Sequence, residues 1–130
     1  MKKILVVDDS IYSRVAVSRA LKALRDDYEV VPAIGIQHAR ELLAQTMVQV
    51  PEERFIGVLS DLNMEYERAG LDLLKEVSSK YPEVWTLLMS GGFTTQLLNE
   101  AATARIHTIS KPFTLETLDF AIKVVSSTPS

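Results

Sequence analysis

The stretch Ile56-Gly57-Val58-Leu59-Ser60-Asp61-Leu62-Asn63-Met64 contains a short apolar run that leads into a carboxylate. Such a run is typical of a buried strand of a parallel sheet. In open α/β sheets, ligands bind in the crevice outside the carboxyl ends of the strands. We therefore expect Asp61 to lie at the mouth of a sheet, where its side chain is available for chemistry.

Four other segments have the length and composition of strands, and amphipathic helical patterns separate them. The strand-like segments are 4–7, 28–33, 84–89 and 107–110, and the helical patterns fall within 11–25, 39–47, 71–77, 97–102 and 115–125. This alternation predicts an α/β protein whose five-stranded parallel sheet is covered by helices on both faces. Pro32 lacks a backbone N–H, so the second strand is expected to lie at an edge or to end there.

The composition limits the classes of protein to which the chain can belong. Its 130 residues suit one domain, which we assign to residues 1–125, leaving 126–130 as a flexible tail or linker. With 47% hydrophobic residues and no apolar run near the ~20 residues of a membrane span, we expect no membrane segment. The net charge of −3 and the scattered Lys and Arg residues argue against nucleic-acid binding.

The absence of cysteine and of an export signal bears on the compartment. The chain contains no cysteine, which excludes disulfides, thiolate metal sites and cysteine nucleophiles. The first apolar run ends within four residues at Asp8-Asp9, too early for a secretory signal. These features favour a cytoplasmic protein.

Polar side chains stand at the ends of four of the five predicted strands. Asp8 and Asp9 follow the first strand, Asp61 the third, Ser90 the fourth and Lys111 the fifth. Carboxylates gathered at one sheet edge repel one another unless a hard cation such as Mg²⁺ neutralises them. The lysine and the hydroxyl are suited to phosphoryl oxygens, and a carboxylate is able to attack phosphorus. Each residue alone has an ordinary explanation as a cap, a turn or a solvated side chain, so the prediction depends on the combination.

At these residues the sequence resembles the receiver domains of two-component response regulators, especially the single-domain chemotaxis type. The resemblance covers nearly the whole chain. The matching segments are Leu5-Val6-Val7-Asp8-Asp9-Ser10, Ser60-Asp61-Leu62-Asn63-Met64, Gly70-Leu71-Asp72-Leu73-Leu74, Met89-Ser90-Gly91 and Lys111-Pro112-Phe113. The resemblance implies a flavodoxin-like (βα)5 doubly wound fold with strand order 2-1-3-4-5.

The resemblance also implies roles for individual residues. Asp61 would be the phosphoacceptor and, with Asp8 or Asp9 and the Asn63 backbone carbonyl, would bind Mg²⁺ or Mn²⁺. Lys111 and Ser90 would contact the phosphoryl group, with the lysine positioned by a cis bond to Pro112. The donor would be a histidine kinase or a histidine phosphotransfer protein. The face formed by the fourth helix, fifth strand and fifth helix would meet a downstream effector, so the chain would be a switch and not a turnover enzyme.

Four positions depart from the pattern of the family. Glu65 stands where members often have proline, and Gly70 comes about one residue later than usual. Thr108 occupies the position of the usual aromatic switch residue, and Gly92 replaces a side chain that many members place near the phosphoryl group. We therefore expect a different course for the loop after Asp61, a different transmission of activation, and more open access for water.

Two other functions remain open at the level of sequence. A phosphorylation-independent protein-binding module on the same fold would work only through constitutive contacts. A metal-dependent phosphatase of small molecules would need a substrate pocket and a separate acid, for which the sequence offers no candidate.

Overall fold

The computed structural model of the chain describes residues 1–127. The strands are β1 (Lys2–Val7), β2 (Tyr28–Ala33), β3 (Phe55–Asp61), β4 (Trp85–Ser90) and β5 (His107–Ser110). The helices are α1 (Ile11–Leu24), α2 (Ile36–Thr46), α3 (Ala69–Lys80), α4 (Thr95–Thr103) and α5 (Leu115–Ser127).

The strands form one parallel sheet in the order β2-β1-β3-β4-β5. The predicted doubly wound, flavodoxin-like fold is therefore confirmed. Pro32 lies in β2, which is an edge strand, where the lost backbone donor costs no hydrogen bond to a second neighbour. At the opposite edge lies the short strand β5.

Residues of the central strands are apolar almost throughout because both faces of the sheet are buried. Leu5 and Val7 belong to a core with residues of α2, α3 and α4, whereas Ile4 and Val6 belong to a core with residues of α1 and α5. All four side chains are fully buried. Successive side chains of a strand point to opposite faces, so a two-sided core requires an uninterrupted apolar run.

Helix starts agree with local capping chemistry. The hydroxyl of Ser10 accepts a hydrogen bond from the backbone N–H of Ser13 at the start of α1, and that of Thr94 accepts one from Leu97 N–H at the start of α4. These bonds satisfy backbone donors that have no partner within the first turn. The polar connector after α2 contains a short 3₁₀ helix, Pro51–Glu53.

The last helix runs past the expected domain boundary. Helix α5 continues through Ser126 and Ser127, which the sequence assigned to a flexible tail. The remainder of that tail, 128–130, lies outside the described residues. Among residues 1–127, no helix combines the length and apolar character needed to cross a membrane.

Candidate functional site

Three carboxylates meet at the carboxyl edge of the sheet. Asp8 follows β1 directly, and Asp61 is the last residue of the adjacent strand β3. One ligand oxygen from each of Asp8, Asp9 and Asp61 lies within 4.8 Å of the others. Asp8 is buried, Asp61 is half-buried and Asp9 is exposed, so the cluster opens to solvent on one side.

The first turn of α1 fixes the position of Asp8. Its Oδ1 accepts a hydrogen bond from the backbone N–H of Ser10 at 2.9 Å. Its backbone carbonyl accepts one from Arg14 Nη1 at 2.7 Å. Only 1% of Asp8 is exposed, and the bond from Ser10 N–H replaces part of the water that its carboxylate loses on burial.

The ammonium group of Lys111 lies between the acids. Its Nζ donates to Asp61 Oδ1 at 3.0 Å, to Asp8 Oδ2 at 3.4 Å and to Ser13 Oγ at 2.9 Å. The backbone N–H of Lys111 donates to the carbonyl of Ser90 at 2.8 Å, and the bond between Lys111 and Pro112 is cis. Lys111 follows β5, and β4 lies between β5 and β3 in the sheet. The side chain of Lys111 therefore extends across the end of β4 to reach the carboxylates.

The charges of the cluster are unbalanced. Burial raises the pKa of the Asp61 carboxyl, the hydrogen bond and charge of Lys111 oppose that rise, and the charge of Asp8 adds to it. One ammonium group faces three carboxylates, so the site carries excess negative charge. Oxygen donors in this number and proximity match the ligand preference of Mg²⁺ or Mn²⁺, and the donor set therefore fits a divalent cation.

Ser90 is the last residue of β4, and Asn63 lies in the loop after β3. The hydroxyl of Ser90 accepts a hydrogen bond from Gly92 N–H at 3.0 Å, and the side-chain oxygen of Asn63 accepts one from Arg68 N–H at 2.8 Å. A Cβ atom added at Gly92 would meet no heavy atom within 4 Å. The loop after β4 therefore leaves open space beside the site.

Thr108 does not lie next to Ser90 in the sheet. In the register of β4 and β5, Ser90 is opposite Ser110, whereas Thr108 is opposite Leu88. Thr108 is half-buried in the short edge strand. Thr108 therefore lies within the edge strand β5 and not at the carboxylate cluster.

Ser13 and Arg14 contact the cluster, although neither was singled out in the sequence. Ser13 bonds to Lys111, and Arg14 bonds to the backbone of Asp8. The only signal available was a hydroxyl and a guanidinium in the first turn of a helix that follows two acids. That signal is weak because such residues are common on solvated helix faces.

The loop between β3 and α3, residues 62–68, is anchored on both sides. On one side, Glu65 Oε2 accepts a hydrogen bond from the backbone N–H of Ile36 at 2.7 Å, at the start of α2. On the other, the guanidinium of Arg68 forms an ion pair with Glu100 of α4. Glu65, the departure from the expected proline, thus places a carboxylate at the positive end of a helix.

A doubly wound five-stranded sheet with carboxylates and a lysine at its carboxyl edge defines the class of protein. The family model described as the response regulator receiver domain matches residues 4–123, and the chain belongs to this family. Receiver domains are phosphoacceptor modules of two-component signalling, so the coarse function of the chain is that of a receiver.

Solved structures agree with this assignment. The chemotaxis protein CheY4 of Vibrio cholerae is 30% identical, with a TM-score of 0.75, and the match covers 96% of this chain and 98% of that one. The non-phosphorylated HemR receiver domain of Leptospira biflexa is 23% identical, with a TM-score of 0.77 over 100% of this chain and 98% of that one. The second likeness shows the fold alone. A search of curated proteins gave no significant match.

Proposed function

We propose that the chain accepts a phosphoryl group on Asp61 from a histidine kinase or a histidine phosphotransfer protein, in a reaction that depends on Mg²⁺ or Mn²⁺. The observation that carries this proposal is the convergence of Asp8, Asp9, Asp61 and Lys111 at one edge of the sheet. In this proposal the chain acts as a switch in the cytoplasm and does not turn over a substrate.

The chemistry follows from the carboxylate and its neighbours. A lone pair of an Asp61 carboxylate oxygen attacks phosphorus, the P–N bond to the donor histidine breaks, and its electron pair returns to the imidazole nitrogen. When bound, the divalent cation neutralises charge on the carboxylates and on the phosphoryl oxygens. Asp8, Asp9, Asp61 and the carbonyl of Asn63 would hold the cation.

Lys111 and Ser90 flank the place that the phosphoryl group would occupy. The ammonium of Lys111 already lies 3.0 Å from Asp61 Oδ1, so a small movement brings it to a phosphoryl oxygen. The hydroxyl of Ser90 accepts from Gly92 N–H and keeps its own proton for donation to another phosphoryl oxygen. Fixed donors of this kind stabilise charge as it develops.

The test of this proposal is mass spectrometry after incubation with Mg²⁺ and acetyl phosphate. We expect a mass increase of one phosphoryl group, mapped to Asp61. The variant Asp61→Asn, which keeps the size of the side chain but removes the nucleophile, should remain unmodified. An unmodified wild-type chain, or full modification of Asp61→Asn, would reject the proposal and favour the phosphorylation-independent binding module.

In this proposal the face formed by α4, β5 and α5 transmits the signal to an effector. The face carries exposed apolar side chains, Leu98 on α4 with 42% exposure and Phe120 on α5 with 69% exposure. Exposed aromatic and aliphatic groups of this kind are common anchors in protein interfaces. Since Thr108 has no ring to move, another connection between the site and this face is needed.

The pair of Arg68 and Glu100 offers that connection. Arg68 adopts a left-handed backbone conformation with φ of 71°, its N–H bonds to the side chain of Asn63, and its guanidinium pairs with Glu100. A movement of Asn63 on cation or phosphoryl binding would therefore be passed to α4. The pair is partly exposed, so its removal should cost no more than about 1 kcal/mol of stability.

We expect Glu100→Gln to uncouple α4 from the site. Hydrogen exchange of residues 95–103 should respond to beryllofluoride with Mg²⁺ in the wild type and should respond little in this variant, although beryllofluoride still binds. The matched control is Glu76→Gln, which breaks a similar ion pair between Glu76 of α3 and Arg40 of α2. A full α4 response in Glu100→Gln would contradict this coupling.

A further inference from the structure

We propose that Ser13 is a positioning residue that orients the ammonium group of Lys111 for phosphoryl transfer to Asp61. The inference rests on the proposed function and adds to it a residue outside the carboxylate cluster. Its basis is a hydrogen bond between Lys111 Nζ and Ser13 Oγ of 2.9 Å. This distance is the shortest of those from the ammonium group to its three partners.

A lysine ammonium has three N–H donors, and in this site each has a partner. Two of the acceptors are the carboxylates of Asp8 and Asp61, and the third is the neutral hydroxyl of Ser13. The three acceptors come from the end of β1, from α1 and from β3, so together they define both the position and the direction of the ammonium group. A flexible four-carbon side chain does not achieve this alone.

The hydroxyl of Ser13 has a well-defined position because the first turn of α1 is attached to the end of β1. The backbone N–H of Ser13 bonds to the hydroxyl of Ser10, whose own N–H bonds to Asp8 Oδ1. Arg14 adds a bond from its side chain to the carbonyl of Asp8. Ser13 therefore presents its oxygen from a turn that is held at three points.

Phosphorylation would change Asp61, one of the three partners of Lys111, but would leave Ser13 unchanged. Once Asp61 carries a phosphoryl group, its carboxylate charge is lost and the negative charge lies on phosphoryl oxygens. The ammonium group must then turn from Asp61 Oδ1 toward one of them. Ser13 is uncharged and takes no part in the reaction, so it holds one N–H of the lysine while another N–H is redirected.

The experiment compares rates of phosphorylation by acetyl phosphate at saturating Mg²⁺. We expect Ser13→Ala to be slower than the wild type by about tenfold, as for the loss of one hydrogen bond to a charged group. Ser13→Thr retains the hydroxyl and should recover most of the rate. The dissociation constant for Mg²⁺, measured by calorimetry, should not change because Ser13 is not among the cation ligands.

Ser18→Ala is the matched control. Ser18 is another serine of α1, and the ammonium group of Lys111 bonds to Ser13 and not to Ser18. A role of Ser13 in helix stability alone would make Ser18→Ala at least as slow as Ser13→Ala, and this result would overturn the inference. So would an unchanged rate in Ser13→Ala or a failure of Ser13→Thr to recover it. If the wild type itself were not phosphorylated at Asp61, the result would reject the proposed function. If the wild type were phosphorylated and Ser13→Ala reacted at the same rate, only the inference about Ser13 would be rejected.

Discussion

Replacing Gly70 by alanine is expected to lower the free energy of unfolding by about 3 kcal/mol, the upper range for adding a methyl group where there is no room. A Cβ atom at this position would lie 1.7 Å from the backbone oxygen of Asp61 and 3.0 Å from Ser60 Oγ. Gly70 is in the first turn of α3, and its N–H donates to the carbonyl of Leu62 at 2.7 Å. The helix therefore cannot move away without breaking that bond.

The measurement is urea unfolding of the wild type and of Gly70→Ala. The control is Gly91→Ala, because a Cβ atom at Gly91 would meet no heavy atom within 4 Å and neither glycine has a positive φ. We expect the control to change stability by no more than about 0.5 kcal/mol. If the two variants have equal free energies of unfolding, the end of β3 accommodates the added methyl group and the prediction is wrong.

The steric conflict also has a consequence for the site. The atom that would be displaced is the carbonyl oxygen of Asp61 itself, so a shift there also changes the position of the Asp61 carboxylate relative to Lys111 and Asp8. Close packing of α3 on the end of β3 thus explains why this position is a glycine. The position tolerates no side chain because the backbone of the proposed phosphoacceptor occupies the space.

The second large effect concerns Asp8. We expect Asp8→Asn to weaken Mg²⁺ binding by about 100-fold or more, since replacing groups that only support metal ligands already costs roughly 10–100-fold. The substitution keeps the shape of the side chain and an oxygen that accepts from Ser10 N–H, but it removes a buried negative charge. We therefore expect Asp8→Asn to remain folded, so that weaker Mg²⁺ binding would not result from unfolding.

Calorimetric titration with Mg²⁺ is the appropriate measurement for this prediction. Trp85 is a poor reporter because it begins β4 and packs over Gly57, at the end of the sheet opposite Asp61. Asp26→Asn makes the same change of charge on an exposed residue between α1 and β2, and it should leave the affinity unchanged. An unchanged affinity in Asp8→Asn would show that the cation binds without this carboxylate.

The order of the elements could be read from the sequence because it depends on local patterns. A buried parallel strand needs an apolar run, and a helix on a sheet needs an amphipathic one, so segments such as 4–7 and 11–25 carry their own signal. Helix ends were less accurate: α5 extends to Ser127, and α3 begins at Ala69, before the first leucine of its apolar pattern. Fraying and capping at helix ends are decided by a few weak bonds.

The sequence by itself also determined the gathering of Asp8, Asp9, Asp61 and Lys111, because the carboxyl ends of parallel strands meet at one edge of the sheet whatever the details of packing. Only the tertiary structure decided which side chains complete that edge. Ser13 meets Lys111 across 98 positions of the chain, and Glu65 meets the start of α2 across 29. Such contacts depend on the distances and rotations of packed helices. The sequence around a hydroxyl or a carboxylate on a helix or in a loop does not indicate which distant residue it will contact in the folded chain.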